Sequence, residues 1–297
     1  METKEKLLTI RISAAHFSVC VFDLQEKKLI QGTYRCMPNA RKASKEIAIN
    51  NWADMIKSLM VETNIEIEFC AVSMPGSLMA TTDSDQRWQP GFSKEGLTGL
   101  LAAILAIPVE NISVFSNSVC FLRGALVSWR DLENKSLIGI EIGAELTSSI
   151  KQESSITDLN DLNNEVFLIS RRLSTSWFLK RYFEESGISM LNAGELSHMY
   201  NTHATAKKVL KEFCGDLIEY IHFLKANHSA EFILLTGEIL FPTDQVVLLQ
   251  KAAFPAHLRI GFRSGFTAHI GAGMLFHETY ADSFIKEFSF QPSSLEY

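Results

Sequence analysis

The side chains that could act as nucleophiles or metal ligands lack the companions that such chemistry needs. Ser118 has no histidine signature near it, so the sequence does not support a catalytic nucleophile. His198 and His203 lie five residues apart on a predicted helix, without a cysteine or acidic residue at ligand spacing. The five cysteines form no Cys-x-x-Cys pair, and buried, reduced thiols are expected for those in apolar runs, namely Cys20, Cys70 and Cys120. We therefore expect neither a metal site nor a disulfide.

The composition predicts an acidic globular protein. The 297 residues are 46% hydrophobic and 21% charged, with a net charge of −6. No block of Lys or Arg is dense enough to bind nucleic acid, and the basic segment 41–45 suits the solvated start of a helix. No apolar run reaches the ~18 residues of a membrane span. The first residues lead into a strand without a signal peptide, so we expect a cytoplasmic protein with no nucleic-acid or membrane partner.

The hydrophobic periodicity predicts two successive sets of strands and helices. In the first set, strands are predicted over 7–12, 17–23, 29–37, 65–73 and 111–115, and helices over 43–62, 93–106 and 117–129. The second set has strands over 136–142, 232–235 and 257–260, a polar loop or weak hairpin over 146–164, and helices over 174–185, 192–201, 206–227, 242–253 and 271–280. This order predicts two α/β domains with mixed sheets and a ligand cleft between them.

The order of six motifs resembles that of the ROK family (repressors, open reading frames and kinases) of actin-like sugar kinases. They are LLTIRISAAHFSVCVFD at the first phosphate loop, FCAVSMPG with its following loop, IPVENISVFSNSVCFLRGAL, SLIGIEIGAELTSSI at the second phosphate loop, AEFILLTGEIL at the adenosine turn and GFTAHIGAGMLF at the closing helix. The resemblance covers nearly the whole chain and implies two actin-like ATPase (ribonuclease H-like) domains. We expect residues 1–116 in the first, 117–280 in the second, and 281–297 packed back on the first.

The resemblance also implies where a sugar would bind. Asn117 stands at the sugar-binding asparagine, Gly76 at the turn before the sugar-contacting loop, and Trp88 within that loop. Glu165 matches the glutamate of the family's Glu-x-Gly-His element, although Phe167 and Leu168 replace its last two residues. The family's cysteine-rich zinc loop is missing downstream, so no structural zinc is expected. A homodimer is implied by the resemblance alone.

The chain departs from the family where the first phosphates and the catalytic base belong. Arg11 stands at the expected Mg²⁺-binding aspartate, and the run from Ser13 to Ala15 replaces Gly-Gly-Thr. A guanidinium repels Mg²⁺, and side chains narrow the loop. Ser118 occupies the position of the catalytic aspartate, and loss of a general base costs about 10²- to 10⁴-fold in rate.

The second half of the nucleotide site is also depleted. Gly143 is kept in the second phosphate loop, but Glu145 follows it and would repel a triphosphate. Gly237 is the one glycine kept at the adenosine turn. Ser13, Gly143 and Gly237 therefore mark a vestigial nucleotide site, at which we expect no cofactor and at most weak binding of ATP and Mg²⁺.

Four of the site residues have a second, structural interpretation. Glu165 could be a solvated loop carboxylate instead of a sugar ligand. Asn117 suits a helix N-cap as well as a sugar hydroxyl. Trp88 could stack on a sugar or anchor its loop on the core. Arg11 could bind an anion such as a sugar phosphate, or could be an exposed or salt-bridged strand residue.

Three functions follow from these alternatives. The first is a catalytically impaired homologue that binds a sugar or sugar phosphate and closes about a hinge. The second is an active ATP-dependent sugar kinase in which Asp83, Asp85 or Glu141 supplies the base and metal ligand. The third is an effector-sensing relative of the family's transcription regulators, without a DNA-binding domain because about six residues precede the first strand.

Overall fold

The chain forms two sheets and their covering helices. A computed structural model describes residues 6–13, 16–39, 45–75, 94–143, 146–159, 172–237, 239–262 and 266–289. Strands β1 to β6 are Lys6–Ile12, His16–Asp23, Lys28–Leu29, Arg35–Pro38, Phe69–Met74 and Ile112–Ser116. Strands β7 to β11 are Leu137–Ile142, Leu146–Gln152, Ser155–Asp158, Phe232–Gly237 and His257–Phe262. Helices α1 to α8 are Lys45–Thr63, Lys94–Leu105, Asn117–Ser128, Thr175–Ser186, Ala193–His198, Ala204–Asn227, Thr243–Ala253 and Thr267–Ser289.

The two sheets have the same topology. The first sheet has the order β3-β2-β1-β5-β6, with β4 also paired to β2, and the second has the order β9-β8-β7-β10-β11. In each sheet the first strand pairs antiparallel with its successor and parallel with a later strand. The predicted pair of mixed α/β sheets is therefore confirmed, and β1 and β7 are equivalent strands.

The strands at the centre of each sheet are buried on both faces because helices cover both sides. All six residues of β7 are buried, as expected for a strand with parallel and antiparallel neighbours inside an α/β sheet. Helix α1 covers one face of the first sheet through Trp52, Ile56 and Leu59. The Trp52 ring stacks on Phe17 of β2 at a centroid distance of 4.6 Å.

Helices α3 and α8 are exchanged between the two halves. Helix α3 follows the last strand of the first sheet, but its residues Leu122 and Leu126 pack on the second sheet. Helix α8 follows the last strand of the second sheet, but Ala268, Ala272 and Phe276 pack on the first. The predicted domain boundaries stay a prediction. The segment 117–280 was expected in the second domain, but the residues of α8 that belong to it contact the first sheet.

The exchanged helices touch backbone to backbone where they cross. A methyl group on Gly271 would lie 1.7 Å from the carbonyl oxygen of Cys120. A methyl group on Gly124 would lie 1.9 Å from the carbonyl oxygen of Thr267. Any larger residue at either glycine would therefore have to push the helices apart.

Some elements differ from their prediction for local reasons. The single strand predicted over 29–37 is interrupted, because Gly32 adopts a φ of 82° in a turn between β3 and β4. The polar segment from 146 forms the β8–β9 hairpin, and the closing helix begins at Thr267 rather than at 271. Within the described ranges, no helix combines the length and apolar character needed to cross a bilayer.

Candidate functional site

Arg11 and Glu141 occupy equivalent positions in β1 and β7 and bind each other across the two halves. Arg11 Nη2 donates to Glu141 Oε1 at 2.9 Å. The two residues are only 7% and 3% exposed. A second oxygen of the carboxylate, Oε2, lies 3.5 Å from the hydroxyl of Thr147. Arg11 is thus a buried, salt-bridged residue, and its contact with an anion stays a prediction.

Asn117 ties the start of α3 to the ends of two strands of the first sheet. Its Nδ2 donates to the carbonyl oxygen of Ile12 at 2.9 Å, and its Oδ1 accepts from Ser73 Oγ at 2.5 Å. The prediction that Asn117 caps the helix is wrong, because Ser116 is the N-cap and accepts from the amide of Val119. The predicted sugar contact of Asn117 would compete with these bonds of a buried side chain.

Ser118, at the position expected for the base, is fully buried. Its hydroxyl lies 3.1 Å from that of Ser116, and its carbonyl oxygen accepts from Ser149 Oγ at 3.0 Å. The serine therefore bonds to the end of β6 in the first sheet and to β8 in the second. A hydroxyl with this surrounding is not a general base at neutral pH.

His269 was missed by the sequence-based prediction and lies beside Arg11. The ring is fully buried, with Nδ1 3.0 Å from Thr9 Oγ1 and Nε2 2.9 Å from Ser18 Oγ. Thr9 donates its own proton to the carbonyl oxygen of Cys20, so Nδ1 carries the imidazole proton and Nε2 accepts from Ser18. Burial, and secondarily the Arg11 charge, lowers the pKa of His269 to about 3. A lone histidine in an otherwise small and apolar helical stretch was the available signal.

The three residues of the predicted vestigial nucleotide site have structural contacts. Ser13 Oγ accepts from the amide of His16 at 3.0 Å and so closes the β1–β2 hairpin. The carbonyl oxygen of Gly143 accepts from the amide of Thr175 at 2.7 Å. A methyl group on Gly237 would lie 2.7 Å from the carbonyl oxygen of Ile142.

Thr236 is the equivalent in β10 of Ser73 in β5. Thr236 pairs in register with Glu141, just as Ser73 pairs with Arg11. Both residues are buried, but Thr236 Oγ1 has no hydrogen-bond partner among the described residues, whereas Ser73 donates to Asn117. The polar groups of the two halves are thus unequally satisfied.

The remaining predicted ligand residues, Gly76, Trp88 and Glu165, lie outside the described residues. In the part of the chain that the structure describes, no three histidine, cysteine or acidic side chains are grouped as metal ligands. A cavity of about 360 Å³ between β4 and α1 is lined by none of the predicted site residues; its lining includes Arg35, Cys36, Met55 and Glu62.

Comparison with known proteins decides the fold. No family model and no curated protein sequence matches the chain. Among solved structures, a ROK family glucokinase from Streptomyces griseus, in complex with glucose and AMPPNP, matches with a TM-score of 0.68 and 11% identity over 91% of this chain and 98% of that one. The chain has the two-domain, actin-like fold of the ROK sugar kinases.

Two further structures agree on this ROK-type fold. A ROK hexokinase from Thermus thermophilus matches with a TM-score of 0.66 and 11% identity, over 93% of this chain and 99% of that one. A ROK family transcriptional regulator, a homologue of the E. coli MLC protein, matches with a TM-score of 0.69 and 10% identity, over 96% of this chain and 81% of that one. Identities this low concern the fold, which kinases and a regulator share.

Proposed function

We propose that the protein is a catalytically impaired homologue of the ROK sugar kinases that binds a sugar or a sugar phosphate in the cleft between its halves. The observation that carries the proposal is the buried ion pair of Arg11 with Glu141. It stands at the strand ends where, by the resemblance, a kinase would hold Mg²⁺ and the phosphates.

The residues at this position do not fit a magnesium triphosphate. Mg²⁺ takes oxygen ligands in a strict octahedron, and a guanidinium stands where the carboxylate is needed. Glu141, one of three candidates for the base and metal ligand of an active kinase, is bonded to Arg11 instead. Freeing this carboxylate for a metal would take from the buried Arg11 guanidinium the carboxylate that it bonds to, and breaking a buried ion pair is strongly unfavourable. Ser118 supplies no carboxylate either, so we derive no phosphoryl-transfer step.

Sugar binding is supported by the ROK-type fold and by the residues that match the family's sugar site. The Streptomyces griseus glucokinase was solved with glucose bound. In the present chain we assign the sugar contacts to Gly76, Trp88 and Glu165, with Asn117 positioning the start of α3. A cytoplasmic location is supported by five free cysteines, none in a disulfide. A homodimer is part of the proposal on the resemblance alone.

The catalytic part of the proposal is tested with a coupled assay containing ATP, Mg²⁺ and a panel of hexoses and N-acetyl hexosamines. We expect no turnover, because base, metal ligand and phosphate loop are altered together. An active hexokinase in the same assay serves as the positive control. Turnover of about 1 s⁻¹ or faster, within the usual enzyme range, would establish the alternative of an active kinase.

The binding part is tested separately by thermal unfolding with sugars, sugar phosphates and nucleotides. A ligand present at 100 times its Kd stabilises the folded state by about 2.7 kcal/mol. We expect at least one sugar or sugar phosphate to raise the Tm, and Mg-ATP to leave it unchanged. If no sugar or sugar phosphate at millimolar concentration moves the Tm, the ligand class is wrong.

A further inference from the structure

Among the residues that the structure describes, two arginine–glutamate pairs join the halves of the molecule, and they differ in burial. Arg11 of β1 and Glu141 of β7 are both almost completely buried. Arg123 of α3 donates from Nε to Glu278 of α8 at 2.8 Å, and the Glu278 side chain is 45% exposed. If Glu278 separates from Arg123, water can solvate its carboxylate. If Arg11 separates from Glu141, both charges remain in a medium of low dielectric constant.

The backbone around the buried pair is also tied across the halves. Asn117 is the first residue of α3, which packs on the second sheet, and it bonds to Ile12 and Ser73 of the first sheet. Ile12 directly follows Arg11, so the end of β1 is fixed to α3 beside the ion pair. Opening the cleft would separate the ends of β1 and β7 and break the pair at that point.

The crossing of α3 and α8 does not by itself prevent such an opening. The closest contact is made by the backbones at Gly124 and Gly271, and the side chains packed beside it include the small residues Cys120 of α3 and Ala268 and Ala272 of α8. Helices that touch in this way can turn about their contact while staying together. The restraint on rotation therefore has to come from contacts away from the crossing.

We propose that the Arg11–Glu141 pair is a latch that holds the two halves in one arrangement, whether or not a ligand is present. This inference goes beyond the proposed function, since it concerns the motion of the halves and needs no sugar. It replaces the hinge closure that the resemblance implies with a fixed cleft, in which a ligand would bind without rotating one half against the other.

The latch is tested by measuring a distance between the halves with spin labels. Cys36 is the exposed one of the five cysteines and lies on β4 of the first half. A second label is placed at Lys211→Cys, an exposed position on α6 of the second half. For the otherwise unchanged protein we expect one narrow distance distribution, which stays the same when glucose, glucose 6-phosphate or Mg-ATP is added.

Glu141→Gln removes the buried charge with little change in shape, and we expect it to broaden the distribution or add a second distance. The matched control, Glu278→Gln, removes the exposed pair between the same two halves and should leave the distribution unchanged. Equal broadening in the two variants, or a narrow distribution in Glu141→Gln, would overturn the latch.

A measurement on the unchanged chain keeps the inference falsifiable if Glu141→Gln does not fold. Two distances in the labelled protein, or a shift on adding any of the three ligands, would refute a fixed arrangement. A kinase assay that finds turnover would refute the proposed function and leave this result standing, so the two failures are distinguishable.

Discussion

The two halves share a topology but differ in how a helix packs on their central strands. In the first half, His269 of α8 bonds to the hydroxyl of Thr9 in β1. At the equivalent position of β7 stands Gly139, where a methyl group would lie 2.9 Å from Leu122 of α3 and 3.3 Å from Phe121. One contact is polar and hydrogen-bonded, and the other is apolar and close-packed. The same framework therefore tolerates either chemistry, provided that each buried polar group finds a partner.

The contrast extends to the ends of the parallel strands. Ser73 is bonded to Asn117, whereas its equivalent Thr236 has no partner among the described residues. In the first half, the hydroxyl at the position expected for the first phosphates is therefore hydrogen-bonded. The second half keeps an unsatisfied hydroxyl beside Glu141. The two halves should therefore respond differently to equivalent substitutions.

The largest expected effect comes from the helix crossing that the halves share. Gly271→Ala places a methyl group against the carbonyl oxygen of Cys120, so the helices must part. We expect the free energy of unfolding to fall by ~3 kcal/mol or more, as for severe overpacking. Gly124→Ala should behave alike, since the contact is reciprocal. Urea unfolding at 25 °C measures the change.

Gly99→Ala on α2 is the control for that experiment, because nothing lies within 4 Å of the added methyl group. Alanine in a helix interior is favoured over glycine by about 0.5–1 kcal/mol, so this variant should gain stability. If Gly271→Ala matched Gly99→Ala, the direct backbone contact between α3 and α8 would be excluded.

The next effect distinguishes the polar helix contact of the first half from the apolar one of the second. The folded-state pKa of His269 is lowered to about 3, from an ordinary value of 6.5. The unfolded chain therefore binds the extra proton between these values, and the stability contributed at neutral pH is lost as the pH falls below 6.5. The slope is about 1.4 kcal/mol per pH unit, or about 3 kcal/mol from pH 7 to pH 4.5.

The measurement is the difference in urea unfolding between the unchanged protein and His269→Gln at pH 7, 6, 5 and 4.5. An amide can still donate and accept but does not titrate. The carboxylates titrate in both proteins and cancel in the difference. Parallel pH curves for the two proteins would show that His269 is not buried and neutral in the folded state.

The smallest effect compares Ser73 with Thr236. Ser73→Ala leaves the buried amide oxygen of Asn117 without its donor, which should cost ~2 kcal/mol. Thr236→Val removes a hydroxyl that has no described partner, so the free energy of unfolding should stay within ~0.5 kcal/mol or rise. Chemical denaturation of both variants ranks them. A larger loss for Thr236→Val would mean that its hydroxyl is satisfied in solution.

The sequence predicted the order of elements because local periodicity carries that information. The strands LLTIRI and FSVCVFD and the helix starting at Asn117 lie where they were expected. The polar segment from 146 was harder, since Ser148 and Ser149 suggest solvent but are buried and bonded to Tyr220 and to Ser118. Local polarity does not reveal a distant partner.

The candidate site was predicted less well for the same reason. The ion pair joins residues 130 positions apart, and no local pattern records such a contact. An alignment of the chain with itself would have matched LLTIRI with LIGIEI and shown that Arg11 and Glu141 occupy the same position in the two strands. His269 could not be assigned, because its partners Thr9 and Ser18 are on strands at the other end of the chain.

The exchange of α3 and α8 has a consequence for synthesis on the ribosome. Leu7, Phe22 and Ala71 of the first sheet are covered by Ala268, Ala272 and Phe276 of α8. These residues of α8 are synthesised after every strand of both sheets. The first sheet, although made first, therefore keeps one apolar face open to water or chaperones until then.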